Sequence, residues 1–212
     1  MSEIHVLAIA GSLRRASYNR MIAETLRFMA PRDMVISVYD GLGELPHYNE
    51  DIDNHSPPSS VLALRRQIAM ADALFWAFPE FNHSIPGVLK NLVDWTSHPL
   101  DVAPLVGKVS GISVATQGHG GYRGMADLAR ILRDLGGYVV PAPEVCIQHV
   151  QNKLAVDEFG RIEILDASTR SSLELLLRAL DRAARDKVGA QTAAPWQELF
   201  ALRRRKEEAD RK

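Results

Sequence analysis

Five short apolar segments alternate along this chain with segments of helical periodicity, and this alternation limits the folds open to it. The apolar segments lack the polar alternation of a half-buried strand, which is typical of parallel strands covered on both faces. Parallel neighbours need a long crossover, usually a helix. The sequence therefore predicts an α/β fold with helices on both faces of a parallel sheet. The predicted strands are residues 4–10, 34–39, 73–78, 109–116, and a fifth strand in two pieces, 138–140 and 145–150, interrupted by Pro141 and Pro143.

The predicted helices fill most of the chain between and after these strands. They cover residues 18–29, 59–70, 86–95, 123–135 and 173–185. Pro86 suits the first turn of the third helix, and Gly136 with Gly137 suits the end of the fourth. Residues 40–58, with Gly, Pro, Asn and Asp, are predicted to form a long loop. A chain of 212 residues suits one domain, so we expect a domain over residues 1–188 and a C-terminal tail over residues 189–212.

The loop after the first predicted strand reads A-G-S-L-R-R-A-S-Y-N-R, residues 10–20, and leads directly into a helix. A helix start presents unpaired backbone N–H groups and the positive end of the helix dipole, so it favours a bound phosphate. The loop has neither G-x-G-x-x-G nor the G-K-[S/T] of a P-loop, and its hydroxyl groups suit a terminal phosphomonoester. In the plainer alternative, Ser17 only caps the helix and the arginines are solvated.

Two further loops follow the third and fourth predicted strands. In a parallel sheet of this kind, ligands bind beyond the carboxyl ends of the strands. Residues 79–87 are stiffened by prolines and suit the edge of a planar heterocycle, and residues 117–123 contain glycines that let a ligand approach the backbone. Each loop also has a plain explanation as an ordinary strand-to-helix connection. His119 is predicted to be solvated, because no carboxylate or nucleophile stands beside it in sequence.

Composition and motif content exclude several other kinds of protein. A formal net charge of -1 gives no general attraction to nucleic acid. Cys146 is the single cysteine, so neither a disulfide nor a multi-cysteine metal site is expected, and we predict a small buried residue. The chain has no H-E-x-x-H and no G-x-S-x-G motif, and no metal site is predicted. No apolar run reaches the ~20 residues of a membrane span. The start of the chain lacks the basic region of a signal peptide. For these two reasons we expect a cytoplasmic location.

Together, the three loops resemble the NADPH-dependent FMN reductase family, a flavodoxin-like group that includes quinone, chromate and azo reductases. The matching segments are G-S-L-R-R-A-S-Y-N-R at residues 11–20, L-P-H-Y-N-E-D at 45–51, P-E-F-N-H-S-I-P-G-V-L-K-N at 79–91 with D-W at 94–95, and G-G-Y-R at 120–123. The resemblance implies a flavodoxin-like, doubly wound sheet of five parallel strands in the order 2-1-3-4-5, with helices on both faces.

The resemblance also implies the cofactor FMN and the residues that hold it. The FMN phosphate would be held by Ser12, Arg14, Ser17, Asn19 and Arg20. The edge of the flavin ring would be held by Pro79, Glu80, Phe81, Asn82, Thr116, Gln117 and Gly118. No side chain is expected to act as a catalyst or to bind a metal, because the flavin carries the chemistry.

The implied activity is that of an FMN-dependent NAD(P)H oxidoreductase. NADPH or NADH would pass a hydride to flavin N5, and free flavin, a quinone, chromate or an azo compound would then take the electrons. Backbone N–H groups of residues 117–121 are the predicted donors to the charge that develops near flavin N1 and O2. Two alternatives stay open: an electron-transfer flavoprotein without NAD(P)H oxidation, and a non-catalytic FMN-binding module. The family also implies a homodimer or homotetramer, in which Tyr48, Asn49 and Asp51 of one subunit reach the flavin pocket of another.

Overall fold

A parallel sheet forms the centre of the computed structural model, which describes residues 2–100 and 102–210. Its strands are β1 (Ile4–Ala10), β2 (Met34–Tyr39), β3 (Ala73–Phe78), β4 (Val109–Ala115), β5 (Tyr138–Val139) and β6 (Val145–Ile147). They lie in the order β2-β1-β3-β4-β5, with β6 also paired to β4, and every pair is parallel. This arrangement confirms the predicted flavodoxin-like sheet and its strand order.

Helices cover both faces of this sheet. They are α1 (Tyr18–Thr25), α2 (Glu50–His55), α3 (Ser59–Met70), α4 (Gly87–Thr96), α5 (Tyr122–Asp134), α6 (Ala167–Arg185) and α7 (Val188–Asp210). Along β1, Val6 and Ala8 pack into the core that contains α1 and α6, whereas Leu7 and Ile9 pack into the core that contains α3, α4 and α5. Successive side chains of a strand point to opposite faces, so one apolar run supplies two cores.

The fifth position of the sheet is divided between two short strands, as predicted. Tyr138 of β5 pairs with Val109 at the start of β4, and Val145 of β6 pairs with Ser113 near its end. The intervening residues include two prolines, which have no N–H group to give to a sheet. The break therefore follows from the sequence itself.

Residues 40–58 contain more regular structure than the predicted loop. A 3₁₀ turn covers Gly41–Glu44, and α2 follows it. The Arg65 guanidinium of α3 donates to both carboxylate oxygens of Asp53, at 2.7 Å each, and to the Trp95 carbonyl at 2.9 Å. Asp53 is buried. The prediction of a plain loop is wrong, because tertiary contacts hold α2 and its short sequence shows no helical repeat of its own.

Several element boundaries and one hairpin also differ from the sequence prediction, and β6 ends at Ile147 rather than residue 150. The first helix ends at Thr25 and continues as a 3₁₀ turn over Leu26–Phe28. An unpredicted antiparallel hairpin lies between β6 and α6, formed by β7 (Leu154–Val156) and β8 (Ile162–Ile164). The next helix begins at Ala167 rather than residue 173, because Asp166 caps it by accepting a hydrogen bond from the Thr169 N–H at 2.7 Å.

Within the segment assigned to a tail, residues 189–210 belong to the helix α7, and residues 211–212 lie outside the described residues. Gly189 packs directly on Gly107: a Cβ at Gly189 would lie 2.1 Å from the Gly107 carbonyl oxygen. Gly189 and Pro195 both disfavour a helix locally, which is why periodicity did not indicate one. The division of the chain at residue 188 stays a prediction. Within residues 2–100 and 102–210, α7 included, no helix combines the length and apolar character needed to cross a membrane.

Candidate functional site

A pocket of about 280 Å³ opens at the carboxyl edge of the sheet, between the loops after β1, β3 and β4. It is lined by Ser12, Arg14, Ser17, Tyr18, Asn19, Pro79, Glu80, Phe81, Ala115, Thr116, Gln117 and Val150. The three loops that the sequence singled out therefore meet at one site, as the parallel sheet requires. Three of the predicted residues, Arg20, Asn82 and Gly118, are not part of this lining.

The loop between β1 and α1 carries backbone donors that no protein group uses. Among residues 2–100 and 102–210, no acceptor takes a hydrogen bond from the N–H groups of residues 15, 16, 18 and 19. The Ser17 side chain is buried, and its hydroxyl accepts from the Arg20 N–H at 3.3 Å. Ser17 is therefore a helix cap, as the plainer alternative holds, but the cap satisfies only one donor. The remaining donors at a helix start suit an anion.

Gly11 allows this loop to leave β1 beside the end of β3. Its N–H donates to the Ala77 carbonyl at 2.8 Å. A Cβ on Gly11 would lie 2.5 Å from Cβ of Phe78, closer than two carbon atoms can pack. The glycine is required by this close approach, which brings the first and second loops of the pocket together.

Asn19 is used inside the protein. Its Nδ2 donates to the Ala115 carbonyl at 3.0 Å, and its Oδ1 accepts from the Ala115 N–H at 3.1 Å. Both residues are buried. The side chain therefore fastens the start of α1 to the end of β4, next to the pocket. The sequence suggested a phosphate donor here, and the side-chain carboxamide is engaged with Ala115 instead.

The three arginines of residues 10–20 have different surroundings. Arg14 lines the pocket, and its Cζ lies 5.4 Å from the centre of the Tyr18 ring. Arg20 donates to Glu24 at 2.7 Å and also pairs with Asp40, and the hydrogen bond to Glu24 is the main reason that the pKa of its guanidinium is raised. Arg15 is exposed and has no carboxylate partner among the described residues. Arg14 is therefore the cation at the pocket.

The loop after β3 forms a tight turn at the pocket mouth. Phe81 and Ser84 exchange two backbone hydrogen bonds of 3.0 Å each. Asn82 and His83 between them have φ values of 50° and 64°, a left-handed backbone that side chains other than glycine rarely adopt. Asn82 is not part of the pocket lining, whereas Phe81 lines the pocket and is 55% exposed. An exposed aromatic ring beside a pocket suits a flat ligand.

Glu80 joins this loop to the loop after β4. Its Oε2 accepts a hydrogen bond from the Gly124 N–H in the first turn of α5 at 2.8 Å, and its side chain is only 9% exposed. A carboxylate at a helix start is favoured by the helix dipole. A Cβ on Gly120 would lie 3.2 Å from the Glu80 Oε1, so the carboxylate also rests against the glycine loop. Glu80 thus holds two walls of the pocket in register.

The loop after β4 is fixed by backbone hydrogen bonds at its first residue. The Thr116 N–H donates to the Ile147 carbonyl at 2.9 Å, and the Thr116 carbonyl accepts from the Val150 N–H at 3.0 Å. Gly120 and Gly121 have φ values of 108° and 105°, which favour glycine. Gln117 is exposed and lines the pocket. Thr116 is thus held rigidly, and the residues beyond it turn sharply into α5.

His119, His149 and Cys146 also lie near this edge of the sheet. The rings of His119 and His149 lie edge to face, 4.5 Å apart between centres. In the described ranges 2–100 and 102–210, no cluster of His, Cys, Asp and Glu side chains could hold a metal ion. Cys146 is half-buried, not fully buried as predicted. Burial raises the pKa of its thiol to about 12, so the thiol is neutral at physiological pH.

Sequence reasoning did not identify three residues of the lining. Tyr18 is the first residue of α1, Ala115 is the last residue of β4, and Val150 follows β6. Tyr18 and Ala115 adjoin residues that were chosen, so the ends of the predicted elements were the available signal. Val150 is the last residue of the predicted fifth strand, but it is apolar and distant in sequence from every motif, and its N–H donates to the Thr116 carbonyl at the pocket.

The residues present fit FMN. Free N–H groups at a helix start, the Ser12 and Ser17 hydroxyls and the Arg14 guanidinium form a donor set suited to a phosphomonoester dianion. Pro79 and Phe81 offer apolar surface at the other end of the pocket, and Thr116 and Gln117 offer polar groups there. A phosphate at one end and a planar heterocycle at the other match this distribution.

Comparisons with known proteins agree with this geometry. Residues 4–152 match the family model described as NADPH-dependent FMN reductase. The chain is similar to an NAD(P)H-dependent FMN reductase of Pseudomonas aeruginosa, with 40% identity over 179 residues, 84% of this chain and 94% of that protein. It is also similar to a quinone reductase of Escherichia coli, with 38% identity over 157 residues, 73% of this chain and 83% of that one. Among solved structures, the flavoenzyme NAD(P)H:(acceptor) oxidoreductase FerB of Paracoccus denitrificans superposes with a TM-score of 0.75 at 28% identity, covering 87% of this chain and 98% of that chain.

Proposed function

Because the chain belongs to the NADPH-dependent FMN reductase family, we propose that the pocket at the carboxyl edge of its sheet is the FMN site of an NAD(P)H-dependent reductase of quinones. The chain is an oxidoreductase that uses FMN and NAD(P)H. Relatives named as quinone reductases support a quinone as the electron acceptor. The same relatives favour this reading over a non-catalytic module and over a protein that carries electrons without oxidising NAD(P)H.

The observation that carries the proposal is the set of unused backbone donors between β1 and α1. We assign the FMN phosphate to these N–H groups together with Ser12, Ser17 and Arg14. Donors fixed by a helix start need no reorganisation to bind an anion. Asn19 acts through its contact with Ala115 and holds these phosphate-binding groups in position. Arg20 is engaged by Glu24 and Asp40, so we do not assign it to the phosphate.

The ring end of the site is assigned to Pro79, Phe81, Thr116 and Gln117. When bound, FMN supplies the redox chemistry, taking a hydride from the nicotinamide and giving electrons to the acceptor. The protein has to orient the ring and stabilise negative charge at its edge, which backbone N–H groups of the loop after β4 suit. Glu80 keeps that loop in register with the loop after β3. Phe81 offers an exposed aromatic surface where a flat nicotinamide or quinone ring stacks.

The proposed assembly is a homodimer or homotetramer in which the loop before α2 completes the site of a neighbouring subunit. Tyr48 is held on α4: its N–H donates to the Asn91 Oδ1 at 2.8 Å, and its ring lies 5.0 Å from that of Trp95. Asn49 caps α2 by accepting from the Asp51 N–H at 2.9 Å. A preformed loop of this kind suits an interface. Sedimentation or light scattering would measure the oligomeric state.

The proposed location is the cytoplasm. NAD(P)H is a metabolite of that compartment, and an unpaired Cys146 thiol suits its reducing conditions. Fractionation of cells that express the tagged protein tests this location.

Reconstitution tests the proposed function. Purified protein is mixed with FMN, separated from free cofactor, and examined for a bound-flavin spectrum. NADPH and a benzoquinone are then added, and loss of NADPH absorbance is followed. We expect bound FMN and quinone-dependent oxidation of NADPH. Failure to retain FMN would overturn the proposal, and retention of FMN without oxidation of NADPH or NADH would instead support the electron-transfer or non-catalytic alternative.

A further inference from the structure

A second cavity, of about 570 Å³, lies on the opposite side of the β1–α1 loop from the flavin pocket. The flavin pocket uses the loops after β3 and β4, whereas this cavity uses the end of β2, with Tyr39 and Asp40. Since β1 lies between β2 and β3, the two spaces flank the same loop. Both are lined by Ser12 and Arg14. We call this space the β2-side cavity.

The far wall of the β2-side cavity is the hairpin β7–β8, through Val156, Gly160 and Ile162. This hairpin lies beyond residues 4–152, the segment that matches the family model. Leu13 of the β1–α1 loop also lines the cavity and is 57% exposed. The cavity therefore combines apolar surface from the hairpin and from Leu13 with the polar residues of that loop.

Positive charge in the β2-side cavity comes from the arginines of that loop and from Arg20 of α1. The Arg20 guanidinium is paired with Glu24 and with Asp40, which follows β2. Arg15 lines this cavity, does not line the flavin pocket, and has no carboxylate partner among residues 2–100 and 102–210. An exposed guanidinium without a partner is suited to bind a phosphate group through two parallel N–H···O hydrogen bonds (bidentate binding).

We propose that the β2-side cavity binds the 2′-phosphoadenosine end of NADPH, with Arg15 contacting the 2′-phosphate. This inference rests on the proposed function, which requires the nicotinamide end to lie at the flavin. The flavin pocket is filled by FMN, so the rest of the dinucleotide needs adjoining space, and the β2-side cavity shares two lining residues with that pocket. In dinucleotide-binding sheets, a carboxylate near the end of the second strand suits a free ribose 2′-hydroxyl, whereas an arginine there suits a 2′-phosphate. Asp40 is paired with Arg20, which balances its charge, so the Arg15 guanidinium in the same lining is the group left for the 2′-phosphate.

Binding of two adenosine nucleotides to the FMN-loaded protein tests this assignment. Calorimetry measures Kd for adenosine 2′,5′-bisphosphate and for adenosine 5′-monophosphate, which lacks the 2′-phosphate. For Arg15→Ala we expect Kd of the bisphosphate to rise about 10-fold or more, as loss of a hydrogen bond between charged groups predicts, and Kd of the monophosphate to stay unchanged. The ratio of kcat/KM for NADPH over NADH should fall by a similar factor. Arg66 is an exposed arginine on α3, and Arg66→Ala should change neither the Kd of the bisphosphate nor the kcat/KM ratio.

The outcomes separate this inference from the proposed function. If wild-type protein binds FMN and oxidises NADPH while Arg15→Ala keeps the wild-type discrimination between the two nucleotides, this inference alone is overturned. It is also overturned if both nucleotides weaken equally, or if a second equivalent of FMN displaces the bisphosphate, since the cavity would then be a flavin phosphate site. If the wild-type protein neither binds FMN nor oxidises NADPH, the proposed function is overturned, and this inference with it.

Discussion

Asn19 and Ala115 are joined by two buried hydrogen bonds, although 96 residues separate them in the chain. Asn19 lies in the first turn of α1, and Ala115 is the last residue of β4. The pair therefore ties together two loops that line opposite ends of the proposed FMN site. The Asn19 carboxamide therefore fixes the phosphate end of the pocket relative to its ring end. Asn19 is for this reason the first target for mutation.

Asn19→Ala is expected to destabilise the protein by about 2–4 kcal/mol, because it leaves the buried Ala115 N–H and carbonyl without partners. It should also weaken FMN binding, since the start of α1, which carries the phosphate-binding N–H groups, is no longer fastened to β4. Urea denaturation measures the stability. Asn54→Ala, at an exposed position of α2, is the control and should stay within about 0.5 kcal/mol of wild type. Equal stability of the two variants would contradict the role given to Asn19.

Arg14→Ala is expected to weaken FMN binding about 10-fold with little effect on stability, because Arg14 is exposed and its proposed contact with FMN is through the phosphate alone. Riboflavin has the same ring and no phosphate, so it provides the control ligand, and its Kd should not change. Quenching of flavin fluorescence measures both constants. A parallel loss of riboflavin affinity would show that Arg14 contacts the ring instead.

Gly11→Ala is expected to cost about 1–3 kcal/mol of folding free energy, because the new methyl group would press against Cβ of Phe78 and force β1 and β3 apart. Gly118→Ala is the matched control: no atom lies within 4 Å of a Cβ there, and φ is not positive. Urea denaturation compares the two. If Gly11→Ala were as stable as Gly118→Ala, the close approach of the two strands would not be required.

Asp166 should make stability depend on pH. Hydrogen bonds from Thr169 lower the pKa of this carboxyl below its usual value, so its contribution is present above the unfolded pKa and is lost as pH falls through the folded pKa. Asp166→Asn keeps an N-cap that does not titrate. The Tm of wild type relative to that of Asp166→Asn should therefore fall as the pH is lowered from about 4, the ordinary pKa of an aspartate side chain. Thermal melts over this range would reject the role of Asp166 if the difference in Tm stayed constant.

Cys146 should resist alkylation in the folded protein. Burial raises the pKa of its thiol to about 12, so at mildly alkaline pH almost no thiolate is present, and thiolate is the form that reacts. Mass spectrometry after iodoacetamide treatment should show slow modification in buffer and rapid modification in urea. Rapid modification of the native protein would mean that the thiol is ionised or accessible.

The sheet was predictable because each strand is a continuous apolar run, and such runs can be buried only between two layers of helices. The pocket was predictable for the same reason, since carboxyl ends of parallel strands share one edge. Helix α2 and hairpin β7–β8 were not predictable from local pattern. The Asp53–Arg65 pair holds α2 to α3, and each strand of the hairpin has only three residues, too few to show a repeat.

By itself, the sequence determined the α/β class, the strand order implied by its family resemblance, and the three loops that form the site. These depend on apolar runs and on short motifs, which are local properties. Only the tertiary structure decided what each polar side chain does: Asn19 fastens α1 to β4, Arg20 pairs with Asp40, and Arg15 is left to a second cavity. Those roles depend on hydrogen-bond partners brought close by folding, and residue spacing along the chain carries no information about them.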